Sequence, residues 1–248
     1  MTEGPLSGRT ILVTRPRERA GELVDLLRTR GATALEAPTI RLEEAGGGAL
    51  DRAIRAAAGG RYSWVVFTSP KAVEVWFTRD RAFRSGRIAS RLAAIGDRTA
   101  EALREHGHEP DLVPGTFTTI ELGRVFPRGE GRVLLPRADI ATPELEDALR
   151  AKGWTPVRVT AYRTSVPRSL PAEARRALED GRVDAIAFMS ASTVQGFARL
   201  VGVVEGPKVV CIGPVTARAA RGAGFRVHAV AKPHTSEGLV GALERALR

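Results

Sequence analysis

The sequence predicts an α/β protein made of two pseudo-symmetric parallel-sheet domains, and three observations predict it: an internal duplication, apolar strand-like runs alternating with helix-period stretches, and turn residues closing each run. Residues 9–126 and 131–247 read as two copies of one design. The run Thr10–Pro16, followed by a helix-like stretch to Gly31, is echoed by Val133–Arg137 and a helix-like stretch to Gly153. Val65–Val73 answers to Ile186–Val194, Ile95–Ala100 to Ile212–Ala217, and Thr118–Leu122 to Thr235–Leu239. Four matched blocks in one order argue against chance. The repeat is longer than the 20–50 residue periods of solenoids, which implies two domains facing each other. A cleft between such domains is the first place to look for a ligand.

Element by element, residues 10–14, 32–37, 63–68, 92–95 and 109–113 read as short, mostly apolar strands in the first copy. Their counterparts in the second are 132–135, 155–160, 184–188, 208–212 and 226–230. Helices lie between them. Ala20, Leu23, Val24 and Leu27 fall on one helical face, and Gly31 ends that helix. Gly46-Gly47-Gly48 reads as a flexible connector. Strands alternating with helices imply parallel sheets covered on both faces. In open sheets of this kind the functional loops lie beyond the carboxyl ends of the strands.

Composition bounds the function. The chain has 248 residues, is 43% hydrophobic and 27% charged, and carries a formal charge of +10. It can bury a core in each half, and no apolar run approaches the ~20 residues of a membrane-spanning helix, so no membrane partner is expected. The start Met1-Thr-Glu-Gly-Pro lacks the layout of a signal peptide, giving a cytoplasmic expectation. Arginine supplies most of the basic residues, a bias that heat adaptation or genome composition also produces. A positive surface draws anions. With no clustered Lys/Arg run and aromatics at 5%, a small polyanion fits better than nucleic acid. Cys211, the only cysteine, sits in Val-Val-Cys-Ile-Gly and reads as a buried strand residue.

The loops after the strands share one chemistry: Thr14-Arg15-Pro16, Thr68-Ser69, Gly96–Thr99, Arg137–Asp139, Ser190–Thr193 and Gly213–Thr216, each leading into a helix. A single Ser or Thr there also reads as a helix N-cap. Helix N-termini offer free N–H groups and a positive dipole end, which suits carboxylates. Phosphate-loop, dinucleotide and nucleophile-elbow motifs are absent. His106 and His108, two apart, and the isolated His228 and His234 do not have zinc-ligand spacing. No metal site is therefore expected.

The ordered set Thr14-Arg15-Pro16, Phe67–Pro70, Ile95-Gly96 with Thr99-Ala100, Arg137, Ala161–Thr164, Phe188 with Ser190-Ala-Ser192, Ile212–Pro214 with Thr216-Ala217, and Pro233 with Thr235–Leu239 resembles the uroporphyrinogen-III synthase family. The resemblance spans essentially the whole chain. Met189 departs from it, standing where the family commonly has Thr and the first copy has Thr68. The resemblance implies two flavodoxin-like parallel-sheet domains joined by two extended linker strands. Residues 1–38 and 168–248 would form one domain and 43–163 the other, with linkers 39–42 and 164–167.

The same resemblance implies a cofactor-independent lyase that closes hydroxymethylbilane to uroporphyrinogen III, inverting ring D and losing water. It places Tyr162 as the proton-transfer residue. Substrate-binding roles fall to Thr14, Arg15, Thr68, Ser69, Arg98, Thr99, Arg137, Ser190, Ser192, Thr193, Gly213, Thr216, Thr235 and Ser236. Transfer of substrate from the preceding deaminase to a monomer is the partner expectation. A non-catalytic, two-lobed small-anion-binding protein would share the duplication and cleft, but would leave Tyr162 and the order of blocks unexplained.

Overall fold

The computed structural model describes residues 4–83 and 88–248. Met1–Glu3, part of the N-terminal reading above, and residues 84–87, inside the expected 43–163 domain, lie outside the described residues. In chain order the first copy forms β1 (Thr10–Val13), α1 (Gly21–Thr29), β2 (Thr33–Glu36), β3 (Arg41–Glu44), α2 (Gly48–Ala58) and β4 (Trp64–Phe67). It continues with α3 (Pro70–Phe83), β5 (Arg91–Ala94), α4 (Asp97–Glu105) and α5 (Thr119–Val125). The second forms β6 (Arg132–Ala138), α6 (Glu144–Arg150), β7 (Thr155–Ser165), α7 (Ala172–Glu179) and β8 (Ala185–Phe188). It ends with α8 (Ala191–Leu200), β9 (Lys208–Cys211), α9 (Pro214–Gly222), β10 (Val227–Val230) and α10 (Ser236–Ala246).

Two five-stranded sheets result, in the orders β10-β9-β8-β1-β2 and β3-β7-β6-β4-β5. β1 pairs in parallel with β2 and β8, and β4 with β5 and β6. Each sheet thus combines strands from both copies. The first takes β1 and β2 from one and β8, β9 and β10 from the other, while the second takes β6 and β7 from one and β3, β4 and β5 from the other. The chain accordingly divides into two compact units, Met1–Arg41 with Ser165–Arg248, and Leu42–Thr164.

Each sheet is covered on both faces, as the apolar strands require. In the first unit Leu23, Val24 and Leu27 of α1 pack with Leu239, Val240 and Leu243 of α10 on one face. Ala177 of α7, Phe197 of α8 and Ala220 of α9 cover the other. In the second, α2, α3 and α4 bury Ile54, Trp76 and Leu103 around Phe67. Leu122 of α5 and Leu145 and Leu149 of α6 close the opposite face with Trp64, Phe126 and Trp154. The repeated stop signals match as well: Gly31 and Gly153, just past α1 and α6, have φ of 87° and 96°, a region that favours glycine.

Two readings are corrected. Residues 109–113 form no strand; a single bridge pairs Ala93 with Leu112, because Pro110 and Pro114 carry no N–H to extend a ladder. The Gly46–Gly48 run is not merely a linker, since Gly47, at φ 95°, is the N-cap of α2 and Gly48 begins it. The segment before β3 is also close-packed: a Cβ on Gly196 of α8 would lie 2.2 Å from the Thr39 carbonyl oxygen.

Candidate functional site

Tyr162 owes its position to an irregularity in β7. Along the β6–β7 pairing Leu134 faces Val157, Pro136 faces Val159 and Arg137 faces Thr160, but Ala138 faces Tyr162. Ala161 is the extra residue of a β-bulge. Side chains alternate between faces, so without the bulge Tyr162 would share the face of Arg158 and Thr160. The one-residue slip turns it instead to the face of Val159, where its ring joins the core around Phe67 and Trp76 at 8% exposure. There its hydroxyl lies 3.0 Å from Ser69 Oγ.

Ser69 closes β4 and caps α3: its Oγ accepts from the Ala72 N–H at 3.2 Å, with Pro70 as the first helical residue. The loop after β6 is tied to the same strand. Asp139 Oδ1 accepts from the N–H groups of Ile140 and Thr164, each at 3.0 Å, and the Asp139 N–H donates to the Tyr162 carbonyl at 3.1 Å. Sequence reasoning named the Arg137–Asp139 loop without assigning Asp139. An Asp just past a strand end is the signal that could have found it. Lys71, also unassigned, is paired with Glu74 at 2.7 Å.

The other hydroxyls divide into two kinds. Ser190 caps α8 in a capping box with Thr193, and its Oγ lies 2.9 Å from that of Ser192. Thr235 caps α10 by accepting from the Gly238 N–H. Those side chains already cover first-turn donors. By contrast α4 and α9 start on Gly96 and Gly213, with no side-chain cap, so no cap oxygen competes for their first-turn N–H groups. Glycine is sterically required at the first of these, where a Cβ would fall 2.6 Å from the Phe117 ring. Thr68, at the end of β4, and Arg15, just past β1, are half-buried, and Arg98 is exposed on the first turn of α4.

Burial encloses several of the expected contact residues. Thr14, Thr99, Thr193, Thr216 and Ser236 are all buried. Thr14 Oγ1 donates to the Ala187 carbonyl at 2.8 Å, and its own carbonyl receives the N–H and hydroxyl of Thr39. Thr14 is thereby tied into the strand ends around it. Arg137 is the plainest case: at 3% exposure its Nη1 donates to Glu146 at 2.5 Å and to the Thr142 carbonyl at 2.9 Å. Its charge is neutralised inside the protein.

The remaining chemistry-bearing residues are structural. His106 and His108 stack on Phe77, with ring centroids 4.3 and 5.1 Å away. His228 Nδ1 accepts from the Val209 N–H at 3.0 Å, tying β10 to β9; burial, then Lys208 and Arg226, lower its pKa. Cys211 is fully buried in β9, and burial pushes its thiol up to about 12. No group of three or more potential metal ligands occurs among the described residues. A cavity of about 520 Å³ opens at the amino ends of β1, β8 and β9, lined by Arg9, Asp184 and Lys208 among others. It holds none of the expected site residues, and Arg9 is paired there with Asp184 at 2.8 Å.

Comparison with known proteins places these features in context. Residues 21–241 match the sequence model of a family described as uroporphyrinogen-III synthase HemD. The uroporphyrinogen-III synthase of Synechococcus elongatus is 31% identical, over 100% of this chain and 99% of its own. A putative uroporphyrinogen-III synthase of Methanothermobacter thermautotrophicus is 38% identical over 83% of this chain and 86% of its own. Among solved structures, a mutant uroporphyrinogen III synthase from Thermus thermophilus superposes with a TM-score of 0.68 at 23% identity, over 96% of this chain and 98% of its own. The Helicobacter pylori protein gives 0.65 at 17%, over 97% and 99%. These two likenesses speak for the fold.

Proposed function

Because the chain belongs to the uroporphyrinogen-III synthase family, we propose that Tyr162 is the acid of the reaction and that the loops at the carboxyl ends of its strands hold the substrate. The reaction is the closure of hydroxymethylbilane to uroporphyrinogen III with inversion of ring D. The terminal hydroxyl leaves as water, taking a proton, and the resulting azafulvene is attacked at a substituted pyrrole carbon to give a spiro intermediate. Fragmentation and reclosure invert the ring, and the proton lost on rearomatisation balances the one supplied. Uncatalysed closure gives the type I isomer, so the protein's task is to hold the chain ends in the arrangement that favours the substituted carbon.

The observation that carries this reading is the bulge that brings the Tyr162 hydroxyl to Ser69 at the end of β4. A phenol held there can donate to a departing hydroxyl. Ser190 and Ser192, both half-buried at the end of β8, Thr235, and the N-termini of α4 and α9 at Gly96 and Gly213 offer donors to the substrate's carboxylates. Thr68, Arg15 and Arg98 complete that set. The linear tetrapyrrole closes by itself, which favours direct receipt from the preceding deaminase; we take the working protein to be a cytoplasmic monomer. Among the described residues no helix is long and apolar enough to cross a membrane.

Tyr162→Phe tests the assignment. Turnover should fall by about 10 to 100-fold, the lower end for a positioned acid, with the fold retained because Ser69 still caps α3. Unchanged turnover would remove Tyr162 from the chemistry.

A further inference from the structure

We propose that Ser69 is a positioning residue for the reaction: its hydroxyl donates to the Tyr162 phenol oxygen, fixing the phenol and leaving the phenolic proton for the substrate. A hydroxyl has one proton and two lone pairs. Ser69 Oγ uses a lone pair on the Ala72 N–H at 3.2 Å, and its proton has Tyr162 Oη within reach at 3.0 Å. Donation the other way would commit the only phenolic proton to a serine already engaged as a cap. In the direction proposed, the first turn of α3 polarises Ser69, and Ser69 in turn stabilises the negative charge that grows on the phenol as it gives up its proton.

The second copy shows that the cap alone does not account for this contact. Ser190 occupies the equivalent place and likewise accepts from the third helical residue, the Thr193 N–H at 3.2 Å. Its other hydroxyl partner is Ser192. The duplicated cap has therefore acquired a tyrosine in one unit only, and the bulge at Ala161 supplies it.

The proposal rests on Tyr162 acting in the chemistry, and a double-mutant cycle separates the two ideas. Ser69→Ala should lower kcat by about tenfold, the loss of one orienting hydrogen bond, while KM stays within about twofold. Ser69→Thr, which keeps the hydroxyl and the cap, should restore most of the rate. Ser69→Gly keeps an acceptable cap without the hydroxyl and replaces the alanine variant should that one not fold. In a Tyr162→Phe background Ser69→Ala should have no further effect on kcat. An equal loss in both backgrounds, or a raised KM with unchanged kcat, would make Ser69 a substrate contact and overturn the positioning role while Tyr162 kept its own. A Tyr162→Phe enzyme of full activity would sink both. Tyr62 and Tyr162 are the only two tyrosines, so in a Tyr62→Phe background tyrosine labelled with carbon-13 at Cζ gives one resonance, which reports the hydrogen bond of the Tyr162 phenol. Ser69→Ala should shift that resonance, and a resonance that does not move contradicts the contact.

Discussion

Replacing Arg137 with methionine separates substrate binding from architecture. The side chain is 3% exposed and Glu146 6%, and Nη1 bridges Glu146 and the Thr142 carbonyl. Removing one partner of a buried ion pair costs about 3–5 kcal/mol, because the other charge is stranded. Here the lower end applies. Arg158 Nη1 stands 4.0 Å from Glu146 and keeps a cation nearby, while Arg137 Nε and Glu146 Oε1 have no hydrogen-bond partner among the described residues even in the intact pair. We expect Arg137→Met to lose about 3 kcal/mol in urea unfolding, with KM little changed in the protein that remains folded. Adding Glu146→Leu should recover most of that loss, since an apolar pair can replace a buried ionic one at little cost. A stability change under about 0.5 kcal/mol, together with a tenfold rise in KM, would refute the reasoning and return Arg137 to the substrate.

Two further predictions concern the fold. A fragment of residues 43–163 holds β4, β5, β6 and β7 with the helices that cover them and should melt cooperatively. A fragment of residues 1–128 strips β1 of β8 and β4 of β6 and should not fold; a stable 1–128 domain would count against strand exchange between the copies. Cys211, with its thiol pushed up to about 12 by burial, should resist alkylation at pH 8 until the protein is unfolded. Stoichiometric labelling of the native protein would contradict its burial.

What the sequence disclosed and what it hid follow from the range of the forces involved. Strands such as Trp64–Phe67 and Ala185–Phe188 are uninterrupted apolar runs closed by a capping residue, and both signals are local. The α/β class with parallel sheets was legible for that reason. The bulge was not. The alternation of Val157, Val159 and Ala161 against Arg158 and Thr160 places Tyr162 on the wrong face, and only the register against Ala138 corrects it. Likewise Arg137 in β6 and Glu146 in α6 meet at a separation of nine positions, a spacing with no periodic signature. The burial of Thr14, Thr99 and Thr216 was hidden as well, because a buried threonine at a strand or helix end reads as an exposed one does until packing is known. Ser190 and Thr193 lay at cap spacing, and their capping role needed only geometry to decide it.

The most direct test of the account is the isomer composition of the product. Purified protein is given hydroxymethylbilane, the product is oxidised to porphyrin, and the isomers are separated by chromatography. Loss of substrate is uninformative because the substrate closes unaided. The account predicts predominantly the type III isomer, since steering closure to the substituted carbon is what the site is built to do. Type I alone, from a sample that calorimetry shows to be folded, would contradict it.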